Sequence, residues 1–135
     1  RVLSKYMPVI QEANFSIELC FFIQSLKKYA QYARDIDVTI IEKHHKWKKD
    51  KPSGTACVIK KELLEVNNKL NIEIVSVRGG IIHGEHNILF TNNFGEEICF
   101  THKASSRTAF ANGILQIIPS VVQLQNGLYR LKDIL

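Results

Sequence analysis

Three strand candidates follow one another between residues 72 and 102, and amphipathic helical repeats stand on either side of them. A chain patterned this way has to lay helices on a sheet. Residues 72–78, 86–90 and 96–102 are rich in the β-branched and aromatic side chains that suit a pleated surface. Gly79-Gly80 separates the first from the second, and Asn92-Asn93-Phe94-Gly95 has the composition of a hairpin turn. Upstream, residues 15–34 repeat apolar positions at steps of three and four (Leu19, Phe22, Ile23, Leu26, Tyr29, Ala30, Ala33), which predicts a largely buried helix ending near Asp35. Val38-Thr39-Ile40-Ile41 reads as an interior strand, and residues 8–14 as a short strand ending in a turn. A second helix, with Ala56, Ile59, Leu63 and Val66 on its apolar side, opens at Ser53-Gly54-Thr55. A third, capped by Ser105 or Ser106, carries Phe110, Ile114 and Ile118 on one side and runs towards Pro119. Asn126-Gly127 marks a turn in the tail. The expected class is α+β: a mixed four-stranded sheet with helices packed on one face. The strands are apolar on both faces, so the other face is expected to meet a second subunit.

Length and composition narrow the function. At 135 residues with 45% hydrophobic content, the chain can bury a core without staples and is too apolar for disorder. No apolar run approaches the roughly 20 residues of a membrane span, so no membrane partner is expected. Cys20, Cys57 and Cys99 are odd in number, far apart and free of CxxC spacing. That argues against a disulfide framework or zinc site and for a reducing, cytoplasmic location. Cys57 reads as a small core residue of the second helix. His83, His86 and His102 match no ligand spacing, so no metal is expected.

The net charge of +5 is mild, but its distribution is not even. Residues 43–51 hold five lysines, two histidines and Trp47 against Asp50 alone. This stretch lies between a buried strand and a helix start, where unpaired backbone N–H groups and the helix dipole favour an anion. Ser53, Gly54 and Thr55 would form the cradle, the lysines would draw a carboxylate or phosphate in, and an imidazole beside an ammonium adds proton transfer near neutral pH. A solvated lysine loop with a simple helix cap, a basic nucleic-acid-binding module, and a non-catalytic oligomerisation remnant are the competing readings.

The same residues carry a resemblance. His44-His45-x-x-Lys48-x-Asp50-x-Pro52-Ser53-Gly54-Thr55-Ala56 resembles the signature of the dihydrodipicolinate (4-hydroxy-tetrahydrodipicolinate) reductase family. Arg78-Gly79-Gly80-Ile81-Ile82-His83-Gly84-Glu85-His86, the run Thr101–Arg107, Phe110-Ala111-Asn112-Gly113 and Ala13-Asn14-Phe15-Ser16 are similar to further segments of that family, in the same order. The resemblance implies a reductase of lysine and diaminopimelate biosynthesis that passes a hydride from NADPH or NADH to a cyclic imine dicarboxylate. His44 would be its acid/base and Lys48 its proton donor. His45, Ser53, Gly54 and Thr55 would contact the substrate, and Glu12, Ala13, Asn14 and Phe15 would lie at the cofactor. Asp50 would orient the loop or pair with a lysine.

No glycine-rich turn opens a helix here, so the N-terminal Rossmann half is expected to be absent. The implied domains are residues 1–14, the end of the nucleotide domain and hinge; 15–118, for substrate and oligomer contacts; and 119–135, a return segment packing on the nucleotide domain. The implied assembly is a homotetramer without nucleic acid, and this part alone is expected not to transfer hydride. Three positions depart from the family pattern: Glu12 replaces a small neutral residue, and Glu18 and Cys20 stand where Gly and Asn are common.

Overall fold

The computed structural model describes residues 2–135. In chain order the elements are β1 (Pro8–Ile10), α1 (Ile17–Ala30), β2 (Ile36–His44), α2 (Gly54–Val66), β3 (Asn71–Arg78), β4 (Gly84–Asn92), β5 (Glu97–Ala104), α3 (Thr108–Val121) and β6 (Gly127–Tyr129). They fall into two compact units, residues 2–20 with 107–135, and residues 21–106. The divisions expected from sequence lie after 14 and 118, so α3 joins the first unit.

The second unit is an α+β layer. Its mixed four-stranded sheet has the order β3-β2-β4-β5, with β2 and β3 parallel through the α2 crossover and the other pairs antiparallel. Side chains directly opposite one another share a face, and the register sorts one face into rows. Val38 lies between Ile72 and Phe90, and Ile40 between Ile74 and Ile88, with Phe100 beyond. Leu26 and Ala30 of α1 and Ala56, Ile59 and Leu63 of α2 close over these rows to form one buried cluster. Tyr29, Phe90 and Phe100 add edge-on ring contacts at 4.8–5.8 Å between centroids. Asn67, at the end of α2, donates its amide to the carbonyls of Ala30 and Ala33, tying off the end of α1.

The next two rows on this same face are polar. Glu42 stands opposite Ser76 and His86, with His102 beyond, and His44 is opposite Arg78. The sheet is therefore apolar at one end and charged at the other. Among the described residues of this unit, no helix supplies core residues to the opposite face, which carries Ile41, Leu89 and the half-exposed Val75 and Val77 beside a Lys43–Glu85 ion pair of 2.7 Å. Cys57 sits on the exposed side of α2 rather than in the core, because the inward stripe is filled by Ala56, Ile59 and Leu63.

In the first unit, β1 and β6 pair in parallel, Val9 opposite Leu128. Ser16 begins α1: its hydroxyl accepts from the Leu19 amide, while the Asn14 side chain accepts from the Ser16 amide. Helix α3 differs from expectation at both ends and on its buried side. Arg107, not Ser105 or Ser106, occupies the N-cap position, and the helix continues past Pro119 to Val121. Its buried residues are Gly113 and Ile117, whereas Ile114 and Ile118 are exposed. The cause is backbone contact: a Cβ on Gly113 would lie 1.8 Å from the carbonyl oxygen of Phe15.

Two predictions follow from this packing. Gly113→Ala forces α3 off Phe15 and should destabilise the chain by at least about 2 kcal/mol in urea unfolding. His86 is 4% exposed with neither ring nitrogen hydrogen-bonded, and burial, helped by the like charge of His44 and His102, pushes its pKa down to about 4. The unfolded chain takes up this proton near pH 6.5, so the stabilisation from neutral His86 is complete above that value and is lost as pH falls towards 4. Stability should drop by about 2 kcal/mol between pH 6.5 and 4.5. His86→Phe should flatten most of that slope, which lies above the window where Glu42, lowered from 4.5 to about 2, titrates.

Candidate active site at the end of β2

Strand alternation carries Glu42 and His44 onto the inner face at the C-terminal end of β2. Arg78 ends the parallel neighbour β3, and the crossover returns the chain to the same place as the start of α2. The ends of parallel strands beside a helix N-terminus are where open sheets commonly hold ligands.

Glu42 is wholly buried and is the shared partner of Arg78, Ser53, Ser76 and His44. Arg78 grips it with both terminal nitrogens, at 2.9 Å to Oε2 and 2.7 Å to Oε1. The Ser53 amide donates to Oε1 at 3.2 Å, and His44 Nδ1 lies 2.5 Å from Oε2. Burial alone would raise the Glu42 pKa, but the hydrogen bonds from Arg78, Ser76 and His44 outweigh it and hold the carboxyl at about 2. An ionised carboxylate only accepts, so His44 donates from Nδ1. Burial keeps the His44 imidazole below its ordinary pKa; Glu42 works against this, and the charges of Lys48 and Arg78 add to it. Neutral His44 is thus a base beside two cations.

The loop from His45 to Pro52 is held at several points. Gly80 accepts from the Lys46 amide and His45 from the Lys48 amide. Arg78 reaches the carbonyls of Lys48 at 3.3 Å and Asp50 at 2.6 Å. The Lys51–Pro52 bond is cis. Lys48 pairs with Asp50 at 2.8 Å, and the Asp50 carboxyl is held below its usual range by Lys48 first, then by backbone amides including that of Gly54. Trp47 is exposed, 5.9 Å from the His45 ring, with the Lys46 ammonium over its face. Gly84 packs against His44: a Cβ there would be in van der Waals contact, 3.4 Å from Nε2.

The expected cradle is only partly open. The Ser53 amide is used by Glu42, its hydroxyl caps α2 by accepting from Ala56, and the residue is 2% exposed. The Gly54 amide faces Asp50. Thr55 makes no side-chain or amide hydrogen bond among the described residues. His45 keeps a buried Nδ1 without a partner. His44, His45, Lys48, Ser53, Gly54 and Thr55 therefore gather at one sheet end.

Glu12, Ala13, Asn14 and Phe15 belong to the first unit. There the Glu12 carboxylate is taken by Arg130 at 2.7 and 3.0 Å and by the Leu131 and Ala13 amides, which together outweigh burial and lower its pKa. Glu18 is exposed and Cys20 half-buried, so neither hinders α1. No group of three or more His, Cys, Asp or Glu side chains among the described residues is placed to hold a metal ion.

Sequence reasoning missed Glu42 and left Arg78 without a partner. The signal for Glu42 was present: Val38, Ile40, Glu42 and His44 stand at every second position. Reading the strand as ending at Ile41 hid it. The Arg78 contact depends on the β2–β3 register, which no local pattern encodes.

Comparison with known proteins identifies the family. The family model described as dihydrodipicolinate reductase, C-terminus, matches residues 19–135. The 4-hydroxy-tetrahydrodipicolinate reductase of Thermosipho africanus is 42% identical over 98% of this chain and 58% of its own length. That of Bdellovibrio bacteriovorus is 35% identical over 100% of this chain and 58% of its own. A dipicolinate-bound dihydrodipicolinate reductase from Paenisporosarcina sp. TG-14 superposes with a TM-score of 0.78 at 28% identity, over 93% of this chain and 54% of that one. The chain spans less than three fifths of the length of these relatives. On its sequence, and on a fold that places the signature residues together, the chain belongs to the dihydrodipicolinate reductase family and corresponds to its C-terminal part.

Proposed function

We propose that this chain is the substrate-binding and proton-donating part of a reductase. The reaction adds a hydride from NADPH or NADH to 4-hydroxy-tetrahydrodipicolinate or dihydrodipicolinate and yields tetrahydrodipicolinate. The observation that carries the reading is a neutral, carboxylate-anchored His44 at the end of β2, from which the loop bearing Lys48 leads to the N-terminus of α2. A hydride added to an unsaturated ring must be matched by a proton, and Lys48, with His44 as acid/base, is the local source. A dianionic substrate suits Lys48, His45 and the α2 N-terminus with Thr55. Ser53 contributes mainly by capping that helix, and Gly54 by an amide that Asp50 now faces.

A bound nicotinamide supplies the hydride. Residues 12–15 fit the edge of such a group, because Arg130 neutralises the Glu12 carboxylate that would otherwise repel an anionic cofactor. In this reading residues 1–14 and 119–135 belong with the nucleotide-binding part, and 15–118 with substrate and assembly. The uncovered sheet face, with its apolar centre and Lys43–Glu85 rim, suits contact with further copies in a homotetramer. A cytoplasmic setting accords with three free cysteines. No helix among the described residues is long and apolar enough to cross a membrane. Nucleic-acid binding is less well supported, since Lys43 and Lys48 are paired within the chain.

Pyridine-2,6-dicarboxylate, a planar mimic of the substrate, should bind the chain in calorimetry, and Lys48→Ala or His44→Ala should each weaken it about tenfold, one charge-assisted contact. In a full-length reductase carrying this segment, either change should lower kcat by about 10²–10⁴ with cofactor affinity unchanged. No binding by the wild-type chain, or full turnover in either variant, would overturn the assignment.

A further inference from the structure

The proton-handling residues do not hold themselves in place. His44 sits on a strand end, Lys48 on a loop without regular structure, and the two elements meet through one carboxylate. Oε2 of Glu42 takes His44 Nδ1 and an Arg78 nitrogen, Oε1 takes the other Arg78 nitrogen and the Ser53 amide, and the Ser76 side chain adds a further hydrogen bond to the carboxylate. Arg78 then extends beyond Glu42. Its Nε reaches the Lys48 carbonyl and one terminal nitrogen also reaches the Asp50 carbonyl, so its planar fork spans the backbone on both sides of Lys49.

We propose that Glu42 and Arg78 are the positioning residues of this site. Glu42 fixes His44 as the Nδ1–H tautomer, which leaves Nε2 as the nitrogen offered to a ligand, and Arg78 suspends the Lys48–Asp50 loop from the same carboxylate.

Three features support the assignment. Glu42 is completely buried, so nothing but protein satisfies it, and its low pKa keeps it an acceptor throughout the neutral range. The Nε2 side of the ring lies against Gly84, where an added Cβ would already be in van der Waals contact at 3.4 Å. Finally, the Arg78 contacts are to main-chain carbonyls, which fix the loop whatever its side chains do. Lysine at this position would keep a charge but lose the fork that joins a carboxylate to two carbonyls.

The inference rests on the proposed roles of His44 and Lys48, and its test separates the two. Imidazole 15N spectra of the wild-type chain should show His44 with a protonated Nδ1 and a bare Nε2. In Glu42→Gln the two nitrogens should move towards each other as the tautomers mix. Glu42→Asp, which keeps the charge but withdraws it by one methylene, should shift them the same way and covers the case in which the glutamine variant fails to fold. Arg78→Lys should leave the His44 tautomer intact. It should, however, speed amide hydrogen exchange of residues 48–50 by tenfold or more and weaken pyridine-2,6-dicarboxylate about tenfold. An unchanged His44 tautomer in the foldable Glu42 variant, or unchanged exchange in Arg78→Lys, overturns the proposal. If the wild-type chain fails to bind the dicarboxylate, the substrate reading falls, while the tautomer and exchange measurements still decide the roles of Glu42 and Arg78.

Discussion

An ionised carboxylate with no access to water is tolerated only when every lone pair is used, and Glu42 imposes that condition on the whole polar end of the sheet. Leaving such a charge unpaired costs about 3–5 kcal/mol, a large share of the stability of a small domain. The partners that meet the demand come from three places in the chain: His44 two residues on, Ser53 at the start of α2, and Ser76 with Arg78 at the end of β3. None can shift without exposing the others. The strand register, the entry of α2 and the path of the loop between them are therefore mutually fixed, and the groups available for chemistry inherit that rigidity.

The apolar end of the sheet makes this arrangement affordable. Rows built on Val38 and Ile40, closed by Leu26, Ile59 and Leu63, bury enough hydrocarbon to carry an unfavourable polar cluster a few ångströms further along. His86 marks the boundary. It occupies a core position with unpaired nitrogens, and the folded chain accommodates it by keeping it neutral. A proton on His86 would place positive charge beside His44 and His102, so the low proton affinity of this residue also keeps the surroundings of His44 free of a further cation.

What local pattern encodes was legible beforehand. The α2 stripe and its Ser53 cap, the turn at residues 92–95, and the gathering of His44 and Lys48 before a helix start all follow from spacing over a few residues. What depends on distant partners was not. Gly113 carries no apolar signal, yet it is the contact point of α3, so periodicity selected Ile114 and Ile118 for a face that turns out exposed. Strand β6 exists only because β1 lies alongside it in parallel, and three residues around Leu128 hold no strand signature of their own. Glu42 falls between these cases: two-residue alternation points to it, but a glutamate inside a strand reads as the strand's end until its arginine is located.

The binding end shows a related economy. An empty cradle at a helix N-terminus would leave Lys48 and the Gly54 amide without an anion, and Asp50 fills that role from within the loop. Asp50 is more than half exposed, and ion pairs of that kind are weakened by solvent screening. On the proposed function, a ligand carboxylate at Lys48 would exchange with Asp50, one anion replacing another, so the charge balance around the lysine would hardly change. Glu42 cannot be exchanged in this way because it is buried beneath Arg78. The site thus holds two carboxylates with opposite duties: an inner one that keeps the surrounding groups in place, and an outer one that holds Lys48 only weakly.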